Sequence, residues 1–478
     1  MSKTRVLLIN PPETEQVTFN NPPLGLLYLA GMLKKHEIKV EVVDGFFCGW
    51  RGVRRKIKSY QPTIIGIPCL TPARHKSYQV AKIAKKIDPK ILVVFGGAHA
   101  TIMHQQLLEN YSFIDVIVRG EGERVLLAIA QGKELEKVKG ISYRKNGQVE
   151  VNQPQKYIKN LDAIPFPAWE LIDLSVYPPL PAGIKVHNGI DLEKEPRVSV
   201  IFSRGCPGRC TFCSTWWIWR GWRCRSGKNM ADEIELLYKK HKIRHICLTD
   251  DCMTVNEGKA IAFCDQIIKR KLKIAFNVTT RTDVVSLKLL KKLKKAGCYA
   301  VNYGIESASP RVLKLMQKAN SVENSEKALA LTKKAGIKSV ALMITGNVGE
   351  SFKTVNDSIR FLQKTNPDFV GTVGGLWVFP GTQIYSYLKS KGKIDDSYWL
   401  TKKDKMTYRG NFSERQLRYI RLNMERRTLV NPKNKSWNSP WFLAFFYMEK
   451  LGRKNRLVKK ALVGFYQFFD LFFKSKIK

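Results

Sequence analysis

From Arg197 onward the chain alternates strand-sized apolar runs with helical patterns six times. The strands are "RVSVIFSR", "HICLTDD", "IAFNVTTR", "AVNYGIES", "VALMITGN" and "FVGTVGGLWVF". Between them lie patterns such as "NMADEIELLYKKH", "SLKLLKKLKKAG" and "NSEKALALTKKAG". Parallel neighbours need a crossover of a dozen or more residues, and such crossovers are right-handed. Units of about 30 residues in this order therefore curl toward an incomplete parallel barrel. Chemistry in that architecture sits on the loops at the C-terminal ends of the strands.

The N-terminal 130 residues alternate in the same way, with strands at "RVLLIN", "KVEVVDG", "TIIGIPC", "ILVVFGG" and "DVIVRGEGE". This pattern predicts an α/β, Rossmann-like doubly wound sheet whose ligands lie beyond its strand ends, at "NPP", "DG", "GGAHAT" and "RGEGE". Gly96 and Gly97 permit close backbone approach there. Residues 151–195, rich in Pro and aromatics, read as a linker between a domain at 1–150 and the partial barrel at 196–400. Residues 401–478 read as a basic, aromatic, helical C-terminal extension.

A formal net charge of +42 suits an anionic partner, or equally a set of solvated lysine-rich helix faces. The start "MSKTRVLLINPP" enters a strand without an apolar leader, and ten irregularly spaced cysteines do not form a secreted disulfide framework. A reducing cytoplasm is the expected location. No window reaches the roughly 20 apolar residues of a membrane span. The run from Ala461 to Phe473, flanked by Lys and Arg, reads either as a helix packed on the barrel or against a second copy, or as an interfacial anchor at the inner membrane face.

The first barrel strand runs into "SRGCPGRCTFCSTWW", where Cys206, Cys210 and Cys213 offer three thiolates on one loop. A structural zinc site wants a fourth Cys or His nearby, and Cys224 lies past a tryptophan-rich stretch. A cubane with one open iron fits better, with Phe212 as a shield. Cys247, Cys252, Cys264 and Cys298 read as small apolar fillers.

Cys206-x3-Cys210-x2-Cys213, following the first strand of such a series, resembles the radical S-adenosylmethionine (SAM) family. The resemblance implies a [4Fe-4S] cluster whose open iron chelates SAM, and a 5′-deoxyadenosyl radical that abstracts hydrogen from substrate. It also implies site residues at successive strand ends. Asp250 and Asp251 would steer the methionyl amino group. Arg281 and Glu306 would be catalytic, Ser307 would contact ribose or carboxylate, and Gly346 and Glu350 would lie near adenine. Asn347 and Val348 depart from the family's Gly-x-Pro-Gly-Glu form. Pro380, Gly381 and Thr382 close the sixth strand as in the family.

The N-terminal segment "LLINPP…PPLGLLYLAGML…VVDG…GGAHAT…VRGEGE" is similar to the cobalamin-binding domain that precedes such barrels. Gly96, Gly97 and Gly120 would line the slot for the nucleotide tail, with "GEGE" beside it. The Asp-x-His-x-x-Gly motif that ligates cobalt is absent, so His99 is expected as a loop residue near the tail pocket. The combined resemblance implies a cobalamin-dependent methyltransferase acting on an unactivated centre. An oxidative cyclase or rearrangement enzyme with the same cofactors is the alternative. A non-catalytic cluster protein that binds nucleic acid or a membrane surface is the second alternative. A small-molecule or lipid-like substrate and an electron donor such as flavodoxin or ferredoxin are the implied partners, and nucleic acid is not.

Overall fold

A computed structural model describes residues 4–12, 21–177, 184–401 and 406–429. The aromatic run at 461–473 lies outside the described residues.

The first sheet holds β1 (Arg5–Asn10), β2 (Lys39–Asp44), β3 (Ile64–Pro68), β4 (Leu92–Gly96), β5 (Val116–Val118), β6 (Ile141–Lys145) and β7 (Gln148–Val151). Their order is β2-β1-β3-β4-β5-β6-β7. The first five are parallel and doubly wound, and the switch point falls between β1 and β3. The antiparallel β6–β7 hairpin, absent from the strand pattern above, turns at Asn146-Gly147 with φ +49° and +79°. Asn-Gly supplies two positive φ values at little steric cost, as a type I′ turn requires. The same dipeptide, Asn188-Gly189, joins β8 (Val186–His187) to β9 (Ile190–Asp191).

The second sheet begins with β10 (Arg197–Val200). A short ribbon follows, β11 (Ser203–Gly205) against β12 (Trp222–Cys224), antiparallel. The sheet then continues through β13 (His245–Leu248), β14 (Ala275–Thr280), β15 (Cys298–Glu306), β16 (Lys338–Thr345) and β17 (Phe369–Gly374). All six strands are parallel and in sequence order, the arrangement of a partial (β/α)6 barrel. Ser226, Asn256, Ser286, Ser321 and Ser351 each accept a backbone N–H at a helix start, fixing where the helices begin.

"FVGTVGGLWVF" is two strands rather than one. Gly375 at φ +87° turns the chain out of the sheet, and a Cβ there would lie 2.3 Å from Thr407 Cγ2. β18 (Leu376–Val378) then pairs antiparallel with β19 (Met406–Tyr408). The region expected to be wholly helical after 401 thus opens with a strand, before the helix Glu414–Leu429.

Two elements join the sheets. Residues 376–399 place Leu376, Val378, Ile384, Tyr385, Leu388 and the fully buried Trp399 in one core with Ile67, Tyr78, Phe95 and Ala100 of the first sheet. Arg74 Nε donates to Trp399 O at 3.0 Å. The linker lies across helix Leu24–Lys35 so closely that a Cβ at Gly31 would fall 2.2 Å from Phe166 O. Its buried Trp169 donates to Glu233 Oε1 at 3.1 Å. Among the described residues no helix is long and apolar enough to cross a membrane.

Candidate active site

The β11–β12 ribbon is the neck of the cysteine loop. Gly205 faces Trp222 across it and has φ +88°; a Cβ there would lie 1.9 Å from Gly221 O. Only glycine lets the two chains close at this point. Residues 206–221 then form a self-contained loop above the barrel mouth. Its interior is pinned by Thr211, whose N–H donates to Met316 O at 2.9 Å and whose carbonyl accepts from Ile384 N at 3.1 Å. Phe212 is half-buried and packs on the core shared with the first sheet.

Cys206, Cys210 and Cys213 are all half-buried and free of disulfides. Gly208 lies among them: a Cβ there would sit 3.5 Å from Cys206 Sγ, 3.7 Å from Cys210 Sγ and 2.9 Å from Arg281 Nη1. The cradle between the sulfurs thus stays open because residue 208 has no side chain. Among the described residues no three His, Cys, Asp or Glu side chains gather at single-ion spacing. A cubane places each thiolate on a different iron, and three thiols on one loop suit it.

Cations ring this cradle. Arg281, at the end of β14, is held in a bidentate pair with Asp283 (2.9 and 2.6 Å) and keeps Nη1 beside Gly208. Lys318 pairs with Glu306 at 3.1 Å and lies near enough to Cys210 to favour its thiolate. A hydrogen bond from Cys252 holds the Cys206 thiol below the ordinary range, aided by the Gly208 N–H and the Arg281 charge. Burial pushes Cys210 up to about 11 and raises Cys213. Cys252 is therefore more than an apolar filler, although Cys264 and Cys298 are buried in the core. Neither Cys252 nor Lys318 belongs to a motif; a place near the mouth of the barrel was their one sequence signal.

Glu306 occupies φ +69°, where β15 and β16 slip register between Gly304 and Glu306. Its carboxylate folds back over the strand, and a Cβ at Gly304 would lie 2.7 Å from Glu306 Oε1. A bulky residue with positive φ at a barrel mouth is a strain worth its cost only if the carboxylate must face that way. Ser307 is buried, and its Oγ accepts from Ser309 N at 3.2 Å.

Asp250 differs from expectation. It is buried, and its oxygens accept from Phe202 N at 3.2 Å, from Ser203 N and from Ser203 Oγ. Its carboxylate is committed to the root of the cysteine loop, and burial raises it to about 6. The neighbouring Asp251 is exposed and accepts from Thr215 Oγ1 at 3.0 Å. That leaves Asp251 as the carboxylate of the pair that can meet a ligand.

Gly346 (φ +90°) is buried in a close crossing, 3.3 Å from the Gly375 Cα by its would-be Cβ. Glu350 turns back to accept from the N–H groups of Gly346 and Asn347. Burial raises its carboxyl from 4.5 to about 7. A carboxyl whose pKa rises on folding contributes stability that is full below pH 4.5 and lost as pH climbs to about 7. At one unit per 1.36 kcal/mol the loss is on the order of 3 kcal/mol. Glu350→Gln is expected to flatten this slope, so that the wild-type minus variant difference in unfolding free energy falls between pH 4.5 and 7; a difference that does not change with pH in denaturant titrations would refute it.

In the first domain Gly96 is open on its Cβ side, and Gly97 (φ +93°) would place a Cβ 3.2 Å from Cys69 O. The Gly120 N–H (φ +83°) donates to Thr101 Oγ1 at 3.1 Å. Leu70, beyond the end of β3 at the switch point, is 49% exposed. His99 is not in a loop. It lies in the helix Ala98–Ile102 and is fully buried, with Nδ1 on Thr71 Oγ1 at 3.1 Å and its ring against Trp399. Burial pushes its pKa down to about 3. That imidazole is a wall of the interdomain core.

The "GEGE" carboxylates are paired across the two domains. Glu121 and Glu123 are buried and turn toward the barrel domain, where Arg204 Nη1 donates to Glu121 at 2.8 Å and Arg204 Nη2 to Glu123 at 2.5 Å. Arg223 donates to Glu121 at 3.1 Å.

A B12 binding domain model matches residues 14–130, and a Radical SAM superfamily model matches residues 200–362. An uncharacterized methyltransferase of Pyrococcus horikoshii is 32% identical over 412 residues, 84% of this chain and 86% of that protein. The anaerobic magnesium-protoporphyrin IX monomethyl ester cyclase of Rubrivivax gelatinosus is 33% identical over 414 residues, 82% of this chain and 71% of that one. The radical SAM methyltransferase TsrM of Kitasatospora setae, solved with cobalamin and a [4Fe-4S] cluster, shares the fold at a TM-score of 0.67 and 20% identity, over 82% of this chain and 78% of that one. The cobalamin-dependent radical enzyme OxsB shares it at 0.67 and 19%, over 98% and 71%. With a cobalamin-type sheet, a three-cysteine loop on a six-stranded parallel barrel, and relatives matched along both, the chain belongs to the cobalamin-binding radical S-adenosylmethionine enzymes.

Proposed function

We propose that this enzyme transfers a methyl group to an unactivated centre of a small-molecule substrate. The observation that carries the reading is the open three-thiol cradle around Gly208, set at the mouth of a barrel that is joined to a cobalamin-type domain. When bound, the cluster and SAM supply a radical that abstracts hydrogen, and cobalamin supplies the methyl group. The chain's own residues position and shield. Cys206, Cys210 and Cys213 hold the cluster, and Arg281 and Lys318 offset its thiolate charge. Asp251, exposed beside Thr215, and Glu306, paired with Lys318, would orient the amino and ribose groups of SAM. Asp250, Ser307, Gly346 and Glu350 keep the loops that carry those groups in place. Gly96, Gly97 and Gly120 would admit the nucleotide tail of cobalamin.

Methyl transfer is favoured over ring closure because the P. horikoshii relative, classed as a methyltransferase, is matched over 86% of its length and the cyclase over 71%. The test is anaerobic turnover of the reconstituted enzyme with methyl-labelled SAM, a low-potential electron donor and source-cell extract. Label in a product together with 5′-deoxyadenosine supports the reading. Deoxyadenosine formed with no labelled product, whatever the extract, would move it to the cyclase class. Contact of the aromatic run 461–473, flanked by lysines, with an anionic membrane surface belongs to the same proposal; co-sedimentation with anionic vesicles, lost on deleting 436–478, is its test.

A further inference from the structure

Arg204 and Arg223 stand directly opposite each other in the β11–β12 ribbon. Like charges so paired destabilise a two-stranded ribbon, and this ribbon is the neck of the cysteine loop. Glu121 lies between them, accepting from Arg204 Nη1 at 2.8 Å, from Arg223 Nη1 at 3.1 Å and from Ile158 N at 2.6 Å. Glu123 accepts from Arg204 Nη2. Arg204 is further held over the rings of Tyr28 and Trp219, and Arg223 over Tyr157, whose hydroxyl donates to Ile218 O at 2.7 Å. The neck of the cluster loop is thus closed by carboxylates of the other domain.

Those carboxylates begin one residue after Gly120, at the strand ends where a ligand of the first sheet binds. Arg204 ends two residues before Cys206. The domains already share an apolar core through Trp399 and Tyr385, and a buried ion pair adds little to stability that apolar packing would not. The arrangement suits communication better than adhesion. Resting on the cofactor assignment above, we infer that the Glu121–Glu123–Arg204–Arg223 network couples cobalamin binding to cluster assembly. Each loop holds one half of the network, and the coupling requires that each cofactor restrict the freedom of its own loop. With one half ordered, less freedom remains to be lost when the other binds, which produces positive coupling. By linkage the same factor acts in both directions. These four are positioning residues.

The experiment titrates hydroxocobalamin into the full-length, anaerobically prepared protein, with its cluster reconstituted or with iron removed by chelation. Wild type is expected to bind about tenfold more tightly with the cluster present, within the usual range of site coupling. Glu121→Gln combined with Glu123→Gln should bring that ratio near one, while iron content and the cluster absorbance persist. Arg223→Gln, a milder change in a partly exposed side chain, should give an intermediate ratio and covers the case in which the double variant does not fold. A network that is only adhesive would weaken binding equally in both states and keep the ratio. A preserved ratio in the variants, or no cluster dependence in wild type, overturns the coupling alone. Failure of wild type to bind any corrinoid overturns the functional reading together with it.

Discussion

Cys210→Ala is expected to reduce anaerobic 5′-deoxyadenosine formation to background and to prevent stable cluster assembly. The cysteine loop offers three thiols, and a cubane with an open iron uses all of them. Two thiolates cannot hold three irons. The informative control is Cys252→Ala. Cys252 is buried beside the loop, hydrogen-bonded to Cys206 and 3.4 Å from Thr280 Oγ1. Its loss removes a donor to Cys206 but no ligand, so iron content should be kept while the electron paramagnetic resonance signal or midpoint potential moves. Cleavage retained in Cys210→Ala, or iron lost in Cys252→Ala with Cys210 intact, would reverse the assignment of ligand and neighbour.

Asp250→Ala is expected to unfold more readily by on the order of 4 kcal/mol, from two buried backbone donors left without an acceptor at roughly 1–3 kcal/mol each, while Ser203 Oγ keeps Cys252 O at 3.4 Å. Those donors, Phe202 N and Ser203 N, begin the ribbon that carries the cluster loop. The loss should appear as a lower denaturant midpoint and a lower iron content in the same preparation. Asp250→Asn keeps one acceptor and should lose less. A carboxylate whose task was only to grip SAM would raise the KM for SAM and leave the midpoint where it was, and that result would return Asp250 to the role its motif implies. Asp251→Asn is the complementary change: exposed at the mouth, it should raise the KM with little change in stability.

Both strand series were legible because the information is local. Apolar runs of strand length followed by helical periodicity located every parallel strand of the two sheets, and side-chain caps such as Ser226 and Ser351 lie within a few residues of the N–H groups they satisfy. The cysteine loop was legible for the same reason: three thiols fall within eight residues. What escaped at this scale was turn chemistry. Asn146-Gly147 and Asn188-Gly189 are hairpin signals that the parallel pattern overshadowed. Gly375 divided an apolar run because its positive φ leaves no trace in hydrophobicity.

The roles of charged side chains were the least legible. Asp250, Glu350 and the "GEGE" pair all sit at strand ends, where a ligand contact and a structural contact look alike in one dimension. Glu121 meets an arginine 83 positions away, and no local period encodes that distance. His99 stands beside Gly97 in a loop-like string, yet the ring of Trp399 and the hydroxyl of Thr71 bury it.

By itself, then, the amino-acid sequence determined the two α/β layers, their order and the three-thiol loop, since each follows from contacts among near neighbours. Tertiary structure alone decided which carboxylates are buried against partners and which stay exposed. Burial, partner and direction are set where distant segments meet. There the cost of an unpaired charge commits Asp250, Glu121 and Glu123 to partners in the scaffold and pairs Glu306 with Lys318, while Asp251 stays exposed beside Thr215.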